Sequence, residues 1–250
     1  MFVGCARVSP PGQIDSPAHP LPASVPPTPL PVRDATPPSA DPKIVELPGV
    51  TVNMTERYVE LKGKVCLREG LLELVATVPA GKEHESIVSL QTRPSNIHAA
   101  LLMLGLKPGE PGRWRYEGTK AVAIDPKGDR VRLTLRWERD GKWEEKPINE
   151  FILDREGKKH APSDEFVFAG SRVVEPKGAD GKVTGPPVYL ADQTGDIVAL
   201  VSFDDEVLAW PTAASDSNDE LFWVADPATI PPLGTEIRLR VYPVAGGKPR

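Results

Sequence analysis

At 250 residues, with 30 basic and 35 acidic side chains, the chain carries a net charge of -5 and an isoelectric point near 5.5. That balance excludes the concentrated basic surface with which a nucleic-acid binder displaces counterions, and no run of about eighteen apolar residues supplies a bilayer-spanning helix. The two cysteines, Cys5 and Cys66, cannot hold an iron–sulfur cluster or a four-thiolate zinc site. They allow at most one internal disulfide and leave the redox compartment open.

The chain begins Met1-Phe2-Val3-Gly4-Cys5-Ala6. Phe-Val-Gly-Cys is similar to the end of a bacterial lipoprotein signal, which makes Cys5 a candidate lipidation site and residues 1–8 a remnant of that signal. The basic and apolar regions that should precede it are expected from an upstream start; the alternative is a chance cysteine near a disordered end. From Ser9 to Pro42, twelve of 34 residues are proline. Proline has no amide hydrogen for helix or sheet, so residues 9–43 are expected to form a disordered, proline-rich tether, at about 3 Å per residue and up to ~100 Å long. A proline-rich ligand for an SH3-like domain fits less well, because Arg33 is the only basic residue in the run.

From Ile44 to the end the pattern is that of a single β-rich domain. Alternation around Lys62-Gly63 predicts a turn there, and a short strand pair is expected from Lys64–Leu67 and Leu71–Ala76. Arg130 to Glu138 alternates strictly, with Val131, Leu133, Leu135 and Trp137 on one face, and Asp140-Gly141 follows as a tight hairpin turn. A two-residue loop would set Trp143 opposite Glu138, and a three-residue loop would bring it beside Trp137. Arg130, Arg132 and Arg136 are expected to pair with Glu144 and Glu145 across that hairpin. Further strands are predicted near residues 150–154, 166–174, 188–191, 197–202, 221–224 and 236–242. The one prominent helix surrounds Ile97–Leu104, with Ser95 as its N-cap and Gly105 as its left-handed exit. The expected fold is mainly β (α+β), an antiparallel sandwich or open barrel with that helix packed on it. A duplication of two β lobes also stays open.

Three early blocks carry a resemblance: Gly70-Leu71-Leu72-Glu73-Leu74, Gly81-Lys82-Glu83-His84-Glu85-Ser86-Ile87, and Ile97-His98-Ala99-Ala100-Leu101-Leu102-Met103-Leu104-Gly105-Leu106-Lys107-Pro108-Gly109. With Phe168-Ala169-Gly170-Ser171 and Tyr189-Leu190-Ala191-Asp192, the chain resembles the YdjY-domain family from about Gly63 to Pro243. The resemblance implies an exported or membrane-tethered bacterial module and brings no particular activity with it. Some relatives carry extra cysteines and a ferredoxin-like label; this chain lacks those cysteines, so no iron–sulfur cluster is expected.

The polar cluster with chemical potential is Lys82, His84, Glu85 and His98. Two imidazoles and a carboxylate from His84, Glu85 and His98 suit a divalent transition metal of the zinc type, although the spacing is not that of a helical metalloprotease. They converge only if the helix packs back over the strand Ser86–Leu90. The bland reading, which the residues favour, is a hydrogen-bonded structural network without a cofactor, with His98 neutral near the helix start. No Gly-x-Ser-x-Gly elbow is present, so no catalytic residue is assigned. Cys66 reads as a small buried hydrophobe, and Asp204-Asp205-Glu206 and Asp216–Glu220 as solvated acidic loops. The expected function is a non-catalytic envelope module binding an envelope protein or cell-wall component and held by a lipid anchor. The alternative is a metal-binding protein or metal-dependent hydrolase.

Overall fold

The computed structural model describes residues 43–215, 217 and 221–244. The candidate lipidation site Cys5, the signal remnant, the tether up to Pro42 and most of the second acidic loop lie outside the described residues.

Eleven strands share one sheet: β1 (Ile44–Leu47), β2 (Val50–Asn53), β3 (Tyr58–Val65), β4 (Leu74–Thr77), β5 (Ser86–Leu90), β6 (Arg130–Arg139), β7 (Lys142–Pro147), β8 (Glu165–Phe168), β9 (Asp196–Ala199), β10 (Leu208–Ala209) and β11 (Glu236–Pro243). The order β3-β11-β6-β8-β10-β9-β4-β5 returns to β3, so the sheet closes on itself as an eight-stranded barrel. The mainly β architecture expected from the sequence is present; the open edge is not. The barrel is also not wholly antiparallel, because β4 runs parallel to β5 and β9 parallel to β10.

The long strands make closure possible by dividing one edge between two neighbours. β3 pairs with β2 through residues 58–61 and with β5 through residues 63–65. β6 does the same, giving residues 130–132 to β8 and 134–139 to β7. Gly63 lies where β3 changes partner and is no turn: a Cβ there would stand 2.4 Å from the Ser89 carbonyl oxygen. Glycine is needed because the β5 backbone approaches so closely. The expected pair of 64–67 with 71–76 does not form either. Leu71 makes only an isolated bridge to Val224, and β4 is buried on both faces between β5 and β9. A strand apolar on both faces belongs in the middle of a covered sheet, which a local hairpin cannot provide.

The β6–β7 hairpin follows its sequence. Val131, Leu133, Leu135 and Trp137 are buried, Asp140 and Gly141 form a two-residue loop with φ of 52° and 73°, and Trp143 stands opposite Glu138. The arginine pairing differs from expectation. Arg130 meets Glu165 at 2.7 Å, Arg136 reaches across the hairpin to stack over Trp143, and the arginine that pairs with an acid across the hairpin is Arg139, with Glu144 at 3.3 Å. Glu145 is taken by Arg240 and Tyr242 of β11, at 3.1 and 3.0 Å, because β11 lies on the other side of β6 and its side chains reach over Thr134.

Helix α1 (Pro94–Met103) lies against β2 and β3 and buries Pro94, Ile97, Ala100 and Leu101. Its exit is a glycine-based cap: Gly105 has φ of 81°, and the Gly105 and Leu106 N–H groups donate to Leu102 and Leu101. Its start corrects the expected N-cap. Ser95 sits inside the first turn, and the open end is capped by Asp192 of the short helix α2 (Ala191–Thr194). The Asp192 carboxylate accepts the Ser95 N–H at 2.8 Å and the Ser95 hydroxyl at 2.7 Å.

Candidate functional site

The residues singled out from sequence fall into two places. His84 and Glu85 share the single 3-10 turn Glu83–Glu85, where the His84 side chain is 74% exposed and its Nε2 lies 3.7 Å from Glu85 Oε2. His98 projects from the second turn of α1 and its ring is held elsewhere. Among the described residues no three His, Cys, Asp or Glu side chains form a group able to hold a metal ion. The proposed ligands do not meet because α1 packs over β2 and β3, giving His98 the Gly170 carbonyl and the Tyr189 hydroxyl as partners.

Lys82 and Glu85 do belong together, with partners the sequence did not suggest. Lys82 Nζ stands 3.3 Å from Asp196 Oδ2 and 3.5 Å from Glu73 Oε2, and 3.1 Å above the centre of the Phe203 ring. The lysine is fixed at its backbone. Its N–H donates to Thr77 Oγ1, and its carbonyl accepts the Ser86 hydroxyl at 2.7 Å and the Glu85 N–H at 3.1 Å. Thr77 in turn donates to the Gly195 carbonyl beside Asp196. Asp196, Asp205 and Glu73 are all buried. Burial raises the Asp196 carboxyl to about 7, against the pull of Lys82, and the adjoining Asp205 carboxyl pushes the same way. Burial likewise raises Glu73 to about 7, helped by the Glu85 carboxyl hydrogen-bonded to it. In each pair the neighbouring carboxyl adds to the rise that burial causes.

Glu206, next to Asp205, is fully buried and accepts N–H groups from Gly112, Phe203 and Asp205 at 3.1 to 3.2 Å. Burial nevertheless raises its carboxyl to about 7. The expectation of a solvated loop at Asp204-Asp205-Glu206 is therefore corrected: Asp205 and Glu206 are buried, and Glu206 holds the backbone around it. Cys66 is half-buried; its thiol donates to the Ser86 carbonyl, and burial pushes it up to about 12, so it is not a nucleophile at neutral pH.

The second place is a groove beside α1. The Gly170 carbonyl accepts the Tyr189 hydroxyl at 2.9 Å and the His98 Nδ1–H at 3.0 Å. Burial lowers the pKa of His98 and raises that of Tyr189, so both are neutral at pH 7. The edge-on rings of Phe168 and Tyr189 hold the imidazole from two sides. Alongside runs a cavity of about 350 Å³ whose walls include Ala99, Leu102, Pro108 and Val173. Leu102 is 47% and Val173 66% exposed, an apolar rim around a polar floor. Gly170 permits the close fit, since a Cβ on it would lie 2.5 Å from Pro108 Cβ and 3.3 Å from His98 Cε1. Sequence reasoning found His98 but not this setting, although His98, Gly170 and Tyr189 each lie in a block that carried the resemblance.

Fold and sites together define a closed β-barrel module with one capped helix, a lysine–carboxylate cluster at one strand end and a half-apolar groove. The chain belongs to the YdjY domain family, whose model matches residues 50–242. No curated protein and no solved structure matches it.

Proposed function

We propose that this protein is a non-catalytic binding module of the cell envelope, carried on its proline-rich segment, that holds an apolar stretch of an envelope protein in the groove beside α1. The observation that carries this reading is the meeting of three family-bearing blocks, at His98, Gly170 and Tyr189, beneath an exposed rim of Leu102 and Val173. A monomeric surface seldom leaves such side chains uncovered around a concave site unless something docks there. The floor suits recognition of a neutral segment: His98 and Tyr189 are uncharged and already hydrogen-bonded, so little reorganisation is needed on binding. The envelope location rests on the proline-rich segment and on Cys5 in its signal-like context; no helix of the described residues is long and apolar enough to cross a membrane.

The test is photo-crosslinking in native cells, with a photoreactive residue in place of Leu102 and, as control, in place of the similarly exposed Trp143 on the β6–β7 hairpin, which does not line the groove. A discrete protein adduct from position 102 and none from 143 is the expected result. Equal labelling from both positions, or none from 102, overturns the reading.

A further inference from the structure

We propose that Lys82 and Asp196 form an intramolecular amide bond, with Glu73 relaying the protons. This is independent of the groove and rests on four observations at the other site.

First, Lys82 Nζ touches both acids, 3.3 Å from Asp196 Oδ2 and 3.5 Å from Glu73 Oε2. Second, the ammonium lies under the Phe203 ring, which removes water from one side of it. Third, Asp196 is only 2% exposed, and its Oδ1, like Asp205 Oδ1, is buried without a donor among the described residues. Fourth, the backbone on both sides is pinned through Thr77 and Ser86, so amine and carboxyl are held together rather than meeting by chance. An ordinary buried ion pair satisfies its remaining oxygens with hydrogen bonds. This one instead turns an oxygen toward a second carboxyl.

The chemistry balances within the cluster. The proton of the ion pair passes from Lys82 Nζ to an Asp196 oxygen, giving a neutral amine beside a carboxylic acid, an exchange favoured where water is scarce. The nitrogen lone pair attacks Asp196 Cγ while Asp205 holds the proton that polarises Oδ1. Glu73 takes a proton from the nitrogen and returns it to the departing oxygen, which leaves as water. The Nζ–Cγ bond forms, one C–O bond breaks, and no oxidant, reductant or cofactor takes part. In the product the amide carbonyl accepts the Asp205 proton, which gives the orphaned oxygen its partner, and the amide N–H faces Glu73. The bond ties the turn before β5 to the start of β9 and so fastens together the two strands that flank β4 in the barrel.

The experiment is mass spectrometry of the full chain after incubation at several pH values between 5 and 8. The expected result is an intact mass one water below that calculated for the purified chain, and a branched peptide joining the fragments that contain Lys82 and Asp196. Lys82→Arg, which keeps the charge between the two acids, should restore the full mass, and Glu73→Gln should leave most molecules unjoined, with folding of each variant checked by circular dichroism. Should both variants fail to fold, the wild-type branched peptide still decides the matter. A folded wild type of full mass, with both residues recovered in separate linear peptides, overturns the proposal. So does the same deficit in Lys82→Arg.

Discussion

Replacing Gly63 with valine is expected to cost more than about 3 kcal/mol of stability, because it forces apart the pairing that closes the barrel. The added Cβ would stand 2.4 Å from the Ser89 carbonyl oxygen and 3.2 Å from Leu90 Cα, which are backbone atoms that cannot swing aside, and 2.8 Å from Leu90 Cδ2. Relief requires β5 to move away from β3, and β5 holds β4 through the parallel pairing. Lys62→Ala, one residue away and exposed, should change stability by no more than about 0.5 kcal/mol. Urea unfolding of the two variants measures the contrast; a valine variant within about 1 kcal/mol of wild type would mean that the β3–β5 contact does not close the ring.

Glu206→Ala is expected to be nearly as damaging, by roughly 3 kcal/mol, since it takes the acceptor from three backbone N–H groups, two of them in buried hydrogen bonds. Glu206→Gln should cost less and should change the pH dependence. The folded-state pKa of Glu206 lies near 7, above the ordinary carboxylate value, so the folded protein binds this proton more tightly than the unfolded chain does. Its contribution is therefore complete below about pH 4.5 and is lost as pH rises through 7. Over that window wild type should lose roughly 3 kcal/mol relative to the glutamine variant, a slope that thermal unfolding at a series of pH values would reveal. Parallel curves for the two proteins would show that Glu206 stays ionised in the fold.

What could be read from the sequence was whatever depends on neighbours in the chain. The β6–β7 hairpin was legible because alternation and Asp140-Gly141 act over a few residues, and the helix exit because Gly105 alone decides it. The barrel was not, since its closure depends on which distant strand meets β3, and Gly63 looks the same in a turn as beneath a crossing backbone. The cap of α1 is hidden for the same reason: Ser95 stands at the right place in the sequence, but the acceptor, Asp192, is 97 residues away. At the cluster, Lys82 and Glu85 were legible as a polar knot, but Asp196, 114 residues on from Lys82, was not. His98 shows its chemistry in the sequence but not its companions, Gly170 and Tyr189, which lie 72 and 91 residues away. The blocks that suggested the family meet at the groove, so the signal for that site was present as a pattern of blocks rather than as a motif.

The measurement that bears most directly on the binding function is the Leu102 crosslink repeated with Ala99→Trp. Ala99 is exposed on the groove wall, so an indole there should fill the cavity without entering the core. The adduct from position 102 is expected to disappear while the melting temperature stays within a few degrees of wild type. An adduct that persists with the groove filled would contradict it and would place the partner elsewhere on the protein.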